Sequence, residues 1–257
     1  MSTLVPYAFV RPPGPLLADG LVTHGARVPV DVGLAVEQWR AYVAAMHANG
    51  WQTIEVERAD DCPDAVFVED AMVVFGDRCV IARPGAASRR AEVVGAEAAA
   101  RAAGLEILHI TAPGTLDGGD VLKVDRTVYV GVGGRTNVEA VSQLAAVLTP
   151  GGWDVRPVPV RSVLHLKSAV TALPDGTIVG YLDLVDEPSA FERFLPVPEP
   201  SGSHVVVLDD DRLLMAADAP RSAALFRSMG YETVEVDISE FEKLEGCVTC
   251  LSVRIRP

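Results

Sequence analysis

Apolar positions in this chain switch repeatedly between two spacings. Over residues 33–49, Leu34, Val36, Trp39, Tyr42, Val43 and Met46 recur at helical spacing, and Gly50 follows where a left-handed cap would end a helix. Residues 51–56 then alternate as a strand does. The same order returns at 88–103 with Gly104 and 105–110, at 136–148 with Gly152 before Trp153, and at 220–229 with Gly230 and 231–236. Between these stretches lie hairpin signals: Phe75-Gly76-Asp77-Arg78, Val124-Asp125-Arg126, Pro174-Asp175-Gly176 and Asp209-Asp210-Asp211-Arg212, flanked by β-branched runs such as Val73-Val74.

The first three turns fall about 50 residues apart, a period that signals a repeated supersecondary unit, here strand–strand–helix–strand. Five such units fill the 257 residues. The hairpin inside each unit favours a closed ring of α/β modules over an open sheet in which strands and helices alternate one for one. The fourth helix is the weak member, a short stretch over 188–195 cut by Pro196. No linker divides the chain, so 1–257 is expected to be a single catalytic domain.

Composition narrows the functional classes. The formal net charge of −13, from 22 basic and 35 acidic residues, and the lack of any Lys/Arg-rich run argue against a nucleic-acid partner. Such a chain attracts cationic ligands instead. No apolar run approaches the roughly 18–20 residues needed to cross a bilayer, so no membrane partner is expected. The opening Met1-Ser2-Thr3-Leu4-Val5-Pro6 lacks the basic and apolar regions of a leader. Cys62, Cys79, Cys247 and Cys250 do not form a secreted disulfide framework, and a cytoplasmic setting is expected.

Reactive side chains recur where one unit hands over to the next. Asp64, Glu69 and Asp70 bracket an expected strand over 65–68; Asp117 and Asp120 lie in Leu116-Asp117-Gly118-Gly119-Asp120; His165 lies in Val163-Leu164-His165-Leu166-Lys167; Cys250 lies in Gly246-Cys247-Val248-Thr249-Cys250. Alone, each has a plainer reading: a buried thiol, a structural histidine, a tight turn, a solvated strand end. Around an axis, however, equivalent loops converge, and a cysteine, a histidine and several carboxylates together are the composition of a nucleophilic site. Cys247 and Cys250 also form a C-x-x-C, but no second ligand pair accompanies it, so a zinc or dithiol module is disfavoured and no metal is expected. Gly131-Val132-Gly133-Gly134-Arg135 matches neither common phosphate-loop pattern.

At these residues the chain resembles the dimethylarginine dimethylaminohydrolases of the guanidino-group-modifying, or pentein, superfamily. The likeness spans nearly the whole sequence. It is carried by Arg11-Pro12-Pro13 with Asp19-Gly20-Leu21, the run from Pro63 through Asp64 to Glu69-Asp70, Arg83-Pro84-Gly85 with Ser88-Arg89-Arg90-Ala91-Glu92, Leu116-Asp117-Gly118-Gly119-Asp120, Gly134-Arg135-Thr136-Asn137, Leu164-His165-Leu166-Lys167 and Cys250-Leu251-Ser252-Val253. It implies a five-module, pseudo-symmetric α/β-propeller around a central channel.

It also implies a cofactor-free cysteine hydrolase that converts methylated arginines to citrulline and an amine. Cys250 would be the nucleophile, His165 the acid/base and Asp117 the carboxylate that orients it. Asp64, Glu69 and Asp70 would bind the guanidinium, Arg89 and Arg135 the α-carboxylate. Leu21 would belong to a mobile lid, with Asp19 and the backbone near Leu244 close to the α-amino group or side chain. The partner implied is a small cationic guanidino compound, and a homodimer is left open.

Arginine deiminases and amidinotransferases carry His-x-Asp where Lys167 stands here, which implies room for methyl groups and weaker binding of plain arginine. Gly246-Cys247 departs from the Gly-Gly frequent in relatives. The remaining alternatives are an arginine deiminase-like or other guanidine hydrolase, and a non-enzymatic binding ring of the kind formed by ribosome anti-association factors.

Overall fold

The computed structural model describes residues 5–256; Met1 to Leu4, part of the stretch read for a leader, lie outside the described residues. The chain opens with β1 (Tyr7–Val10), α1 (Val32–Ala48) and β2 (Gln52–Glu55), where β1 and β2 pair in parallel. Asp31 caps α1 by accepting the Leu34 N–H, and Gly50, at φ +81°, ends it as the apolar spacing predicts.

The next two units repeat hairpin, helix and parallel return strand. They are β3 (Met72–Phe75), β4 (Arg78–Ile81), α2 (Val93–Ala102) and β5 (Glu106–His109); then β6 (Val121–Val124), β7 (Thr127–Val132), α3 (Val138–Leu148) and β8 (Asp154–Pro159). The fourth unit, β9 (Val170–Ala172), β10 (Ile178–Gly180) and β11 (Phe194–Pro196), has only a 3-10 turn at Pro188–Ala190 where a helix would stand. The fifth is β12 (Val205–Val207), β13 (Arg212–Ala216), α4 (Pro220–Ser228) and β14 (Glu232–Val236). After the short α5 (Ser239–Glu242), β15 (Val253–Ile255) pairs antiparallel with β1, so the first module takes its inner, cavity-lining strand from a distant part of the chain.

These five three-stranded sheets form a pseudo-symmetric α/β ring. Successive side chains on a strand point to opposite faces, and here the two faces pack on different neighbours. Met72 and Val74 of β3 enter the apolar cluster shared with the first module, while Val73 and Phe75 enter the one shared with the third. In β13, Leu213 and Met215 pack toward the fourth module, Leu214 and Ala216 toward the first. Double-sided burial removes the polar alternation of a surface strand, which explains the unbroken apolar runs.

Two expectations fail locally. Residues 65–68 are not a strand but successive turns leading into a 3-10 segment, Val68–Ala71, with Phe67 N–H bonded to the Asp64 carbonyl at 3.0 Å and Asp70 N–H to that of Phe67 at 3.2 Å. The first half of the 88–103 stretch is likewise 3-10, Ala87–Glu92, before α2 begins. No helix among the described residues is long and apolar enough to cross a membrane.

If the module interfaces carry the stability, opening a cavity in one should cost as much as in any globular core. Phe226→Ala, at a fully buried position between the fourth and fifth modules, should lower the unfolding free energy by about 3–5 kcal/mol in urea titrations; a loss below about 1 kcal/mol would contradict this.

Candidate active site

The handover loops meet at the hub as expected. The 3-10 turn Val68–Ala71 packs on Gly118–Asp120, which packs on Leu166–Ser168. The approach is so close that a Cβ on Gly119 would fall 2.7 Å from Asp70 Oδ1 and from His165 Nδ1, and one on Gly118 only 2.0 Å from the Glu69 carbonyl oxygen. Only glycine permits this contact.

His165 lies between carboxylates. Its Nε2 is 3.0 Å from Asp117 Oδ2 and its Nδ1 is 3.7 Å from Asp70 Oδ1. Asp117 is itself fixed by the Gly85 N–H on Oδ1. Asp120 accepts from the Leu166 N–H and the Thr136 hydroxyl, and so anchors the chain next to His165. Burial opposes charge on the imidazole, but Asp70 and the hydrogen bond to Asp117 outweigh it and raise its pKa to about 9. At neutral pH it is imidazolium, with an N–H toward each acid. Asp70 shows the reverse balance: burial favours its neutral form, yet His165 and Arg89 hold it at about 2. Burial pushes Asp120 up to about 6.

A narrow pocket lies beside this cluster. Cys250 and His165 line it, together with Asp64, Asp70, Arg89, Arg135, Leu21 and Leu244, so most of the expected residues are brought together. Asp117 lies behind His165, wholly buried. Arg89 is largely committed: Nε and Nη2 bind Glu92, Nη1 binds Asp70 at 2.6 Å, and Nη2 also reaches the Asp64 and Phe67 carbonyls. Arg135 is less committed: its Nη2 donates to the Thr23 hydroxyl, and its buried Nη1 lies 3.7 Å from Asp117 Oδ2 without a hydrogen-bond partner among the described residues. Cys250 sits at the end of a turn closed by its own N–H on the Cys247 carbonyl. Its hydrogen bond to Cys247, burial and the nearby acids all favour the neutral thiol.

Three expectations are corrected. The Glu69 side chain turns away from the pocket, to Lys167 at 2.7 Å and Arg254 at 2.8 Å across a separate cavity, because neighbouring residues in the turn point to opposite sides of the hub. Lys167 faces the same cavity, so its side chain does not shape the space beside the thiol. Asp19 is exposed on the turn Leu17–Asp19 and does not line the pocket. Conversely, sequence reading passed over Phe67, Leu164, Gly246 and Glu245 in the lining, and Glu92 behind Arg89. Glu245, at φ +61°, accepts the N–H groups of Thr23, His24 and Gly25, while Leu21 N–H donates to Asp64, fastening the 21–25 loop over the pocket.

Asp70, Asp117 and His165 offer three ligand atoms within 4.8 Å of one another, a spacing a cation could use. Those atoms already bind one another, Gly85, Gly119 and Arg89, which makes the cluster a hydrogen-bonded network in its own right.

The family model for arginine deiminase matches residues 43–198. The chain is 63% identical to the N(G),N(G)-dimethylarginine dimethylaminohydrolase of Streptomyces coelicolor, over 97% of this chain and 96% of that protein. To the protein of the same name from Pseudomonas aeruginosa it is 32% identical, covering 96% and 98%. A crystal structure of the Pseudomonas aeruginosa protein, a cysteine-to-serine mutant complexed with citrulline, superposes with a TM-score of 0.90 at 30% identity, covering 98% of this chain and all of that one.

Two measurements test this electrostatic arrangement. The His165 ring should titrate near 9 by NMR rather than at the 6.5 of a free histidine. Since the folded value exceeds the unfolded one, its stabilisation is complete below about 6.5 and is lost as pH rises through about 9; Asp117→Asn should bring the titration down. Lys167→Asp would face Glu69 with a second carboxylate, and should lower the thermal midpoint without shifting selectivity between arginine and methylarginines; a shift toward arginine would restore a role for position 167 in the pocket.

Proposed function

The chain belongs to the dimethylarginine dimethylaminohydrolase family, and on that footing we propose that it hydrolyses N-omega-methylated arginines to citrulline and dimethylamine or methylamine. The observation that carries this reading is the content of one pocket: a thiol, an imidazolium held by carboxylates, two further acids and two arginines. A methylated arginine has matching parts, a planar cation at one end and a carboxylate at the other. Asp64 and Asp70 suit the guanidinium. Arg135, whose Nη1 makes no hydrogen bond among the described residues, suits the α-carboxylate, and Arg89 acts from the wall with the one Nη1 hydrogen left uncommitted by its contacts.

In this mechanism Cys250 is neutral in the empty site. A guanidinium bound beside it offsets the burial and the acidic surroundings that favour the thiol, and so stabilises the thiolate. The sulfur attacks the central guanidinium carbon. His165, already protonated and oriented by Asp117, gives its proton to the departing amine. Water then attacks the S-alkylthiouronium carbon with His165 as base, and citrulline leaves as the C–S bond breaks. The carboxylates hold the carbon in line with the sulfur, a positioning effect of several kcal/mol. Four buried, unpaired cysteines accord with a reducing, cytoplasmic setting.

Cys250→Ser should abolish citrulline formation from asymmetric dimethylarginine while the protein still folds, and His165→Gly should lower it about 10²–10⁴-fold. Wild-type turnover in either variant removes that residue from the mechanism. Faster turnover of plain arginine than of methylarginines in the same assay would favour the deiminase reading.

A further inference from the structure

We propose that Cys247 is a resolving thiol, forming a reversible disulfide with Cys250 when a peroxide enters the pocket. This rests on Cys250 as the nucleophile. The two sulfurs lie 3.2 Å apart, and the turn joining them is closed by the Cys250 N–H on the Cys247 carbonyl at 3.0 Å. A four-residue turn keeps its end Cα atoms within about 7 Å, the range a disulfide spans, so closing a bond of about 2.05 Å needs about 1 Å of side-chain movement. Cys62 and Cys79 have no such partner; the nearest sulfur to Cys79 is the Met72 thioether at 3.7 Å.

Access sets the order of events. Cys250 lines the pocket, whereas Cys247 is packed behind it among the apolar residues of the first and fifth modules. An incoming hydrogen peroxide meets Cys250 first. Cys250, neutral in the empty site, passes its proton to the Cys247 sulfur 3.2 Å away; its own sulfur attacks one peroxide oxygen, the S–O bond forms as the O–O bond breaks, and the displaced hydroxide takes that proton to leave as water. The Cys247 sulfur, favoured as thiolate by its hydrogen bonds to Cys250 and to the Thr249 hydroxyl, attacks the sulfenic sulfur. The S–S bond forms, the S–O bond breaks, and a second water departs. Two thiols are oxidised and one peroxide is reduced; a dithiol reverses the step by exchange. Without Cys247, the sulfenic acid has no neighbouring thiol and proceeds to the sulfinic acid, which dithiols do not reduce.

The experiment treats the protein with one equivalent of hydrogen peroxide, then counts thiols after denaturation, measures intact mass and assays citrulline formation. In the wild type, titratable thiols should fall from four to two, with a mass about 2 Da lower. Activity should be lost and return with dithiothreitol. In Cys247→Ser, Cys250 should instead be trapped by dimedone, and excess peroxide should cause a loss that dithiothreitol does not reverse. Four thiols after treatment of the wild type, or full dithiothreitol recovery of the variant, overturns the proposal. A disulfide that forms while citrulline production continues leaves the pair intact and overturns Cys250 as nucleophile instead.

Discussion

Strands of this ring serve two neighbours at once. Because consecutive side chains on a strand face opposite ways, β3 and β13 each divide their apolar residues between adjacent modules. A module removed from the ring would expose both sets. The apolar contacts between modules, more than those within them, therefore hold the handover loops at the hub.

That rigidity permits an arrangement that would be costly elsewhere. Asp70, Asp117, Asp120, Arg89 and His165 are all nearly or fully buried. Buried charges persist only when paired and hydrogen-bonded, and here each has such a partner, Asp117, Asp120 and His165 taking one from another module. Arg89 joins Asp70 to Glu92, and Asp117 ties His165 to Gly85. The same pairing that makes the cluster tolerable keeps the imidazole protonated.

Much of this was legible in the sequence. The stretches at 33–49, 136–148 and 220–229 became α1, α3 and α4 because apolar period and glycine stop agreed. Even spacing of reactive residues located the hub. What failed is what local pattern does not encode. The apolar run 65–68 reads as a strand but is wound into turns by hydrogen bonds to its own carbonyls. Glu69 and Asp70 are adjacent in sequence yet serve separate cavities. The grip of Glu245 on the 21–25 loop joins residues more than 200 apart and depends on a left-handed backbone at Glu245 itself, which leaves no local trace.

The pairing of β1 with β15 bears on biosynthesis. Phe9 is made more than 200 residues before its partner Val253. Until then the first module lacks its inner strand, and Cys250, three positions ahead of that strand, has not been set in place. A nascent chain must therefore hold several half-covered apolar surfaces in waiting, a state in which chaperones have most to offer, and the reactive sulfur comes to rest only as the circle shuts.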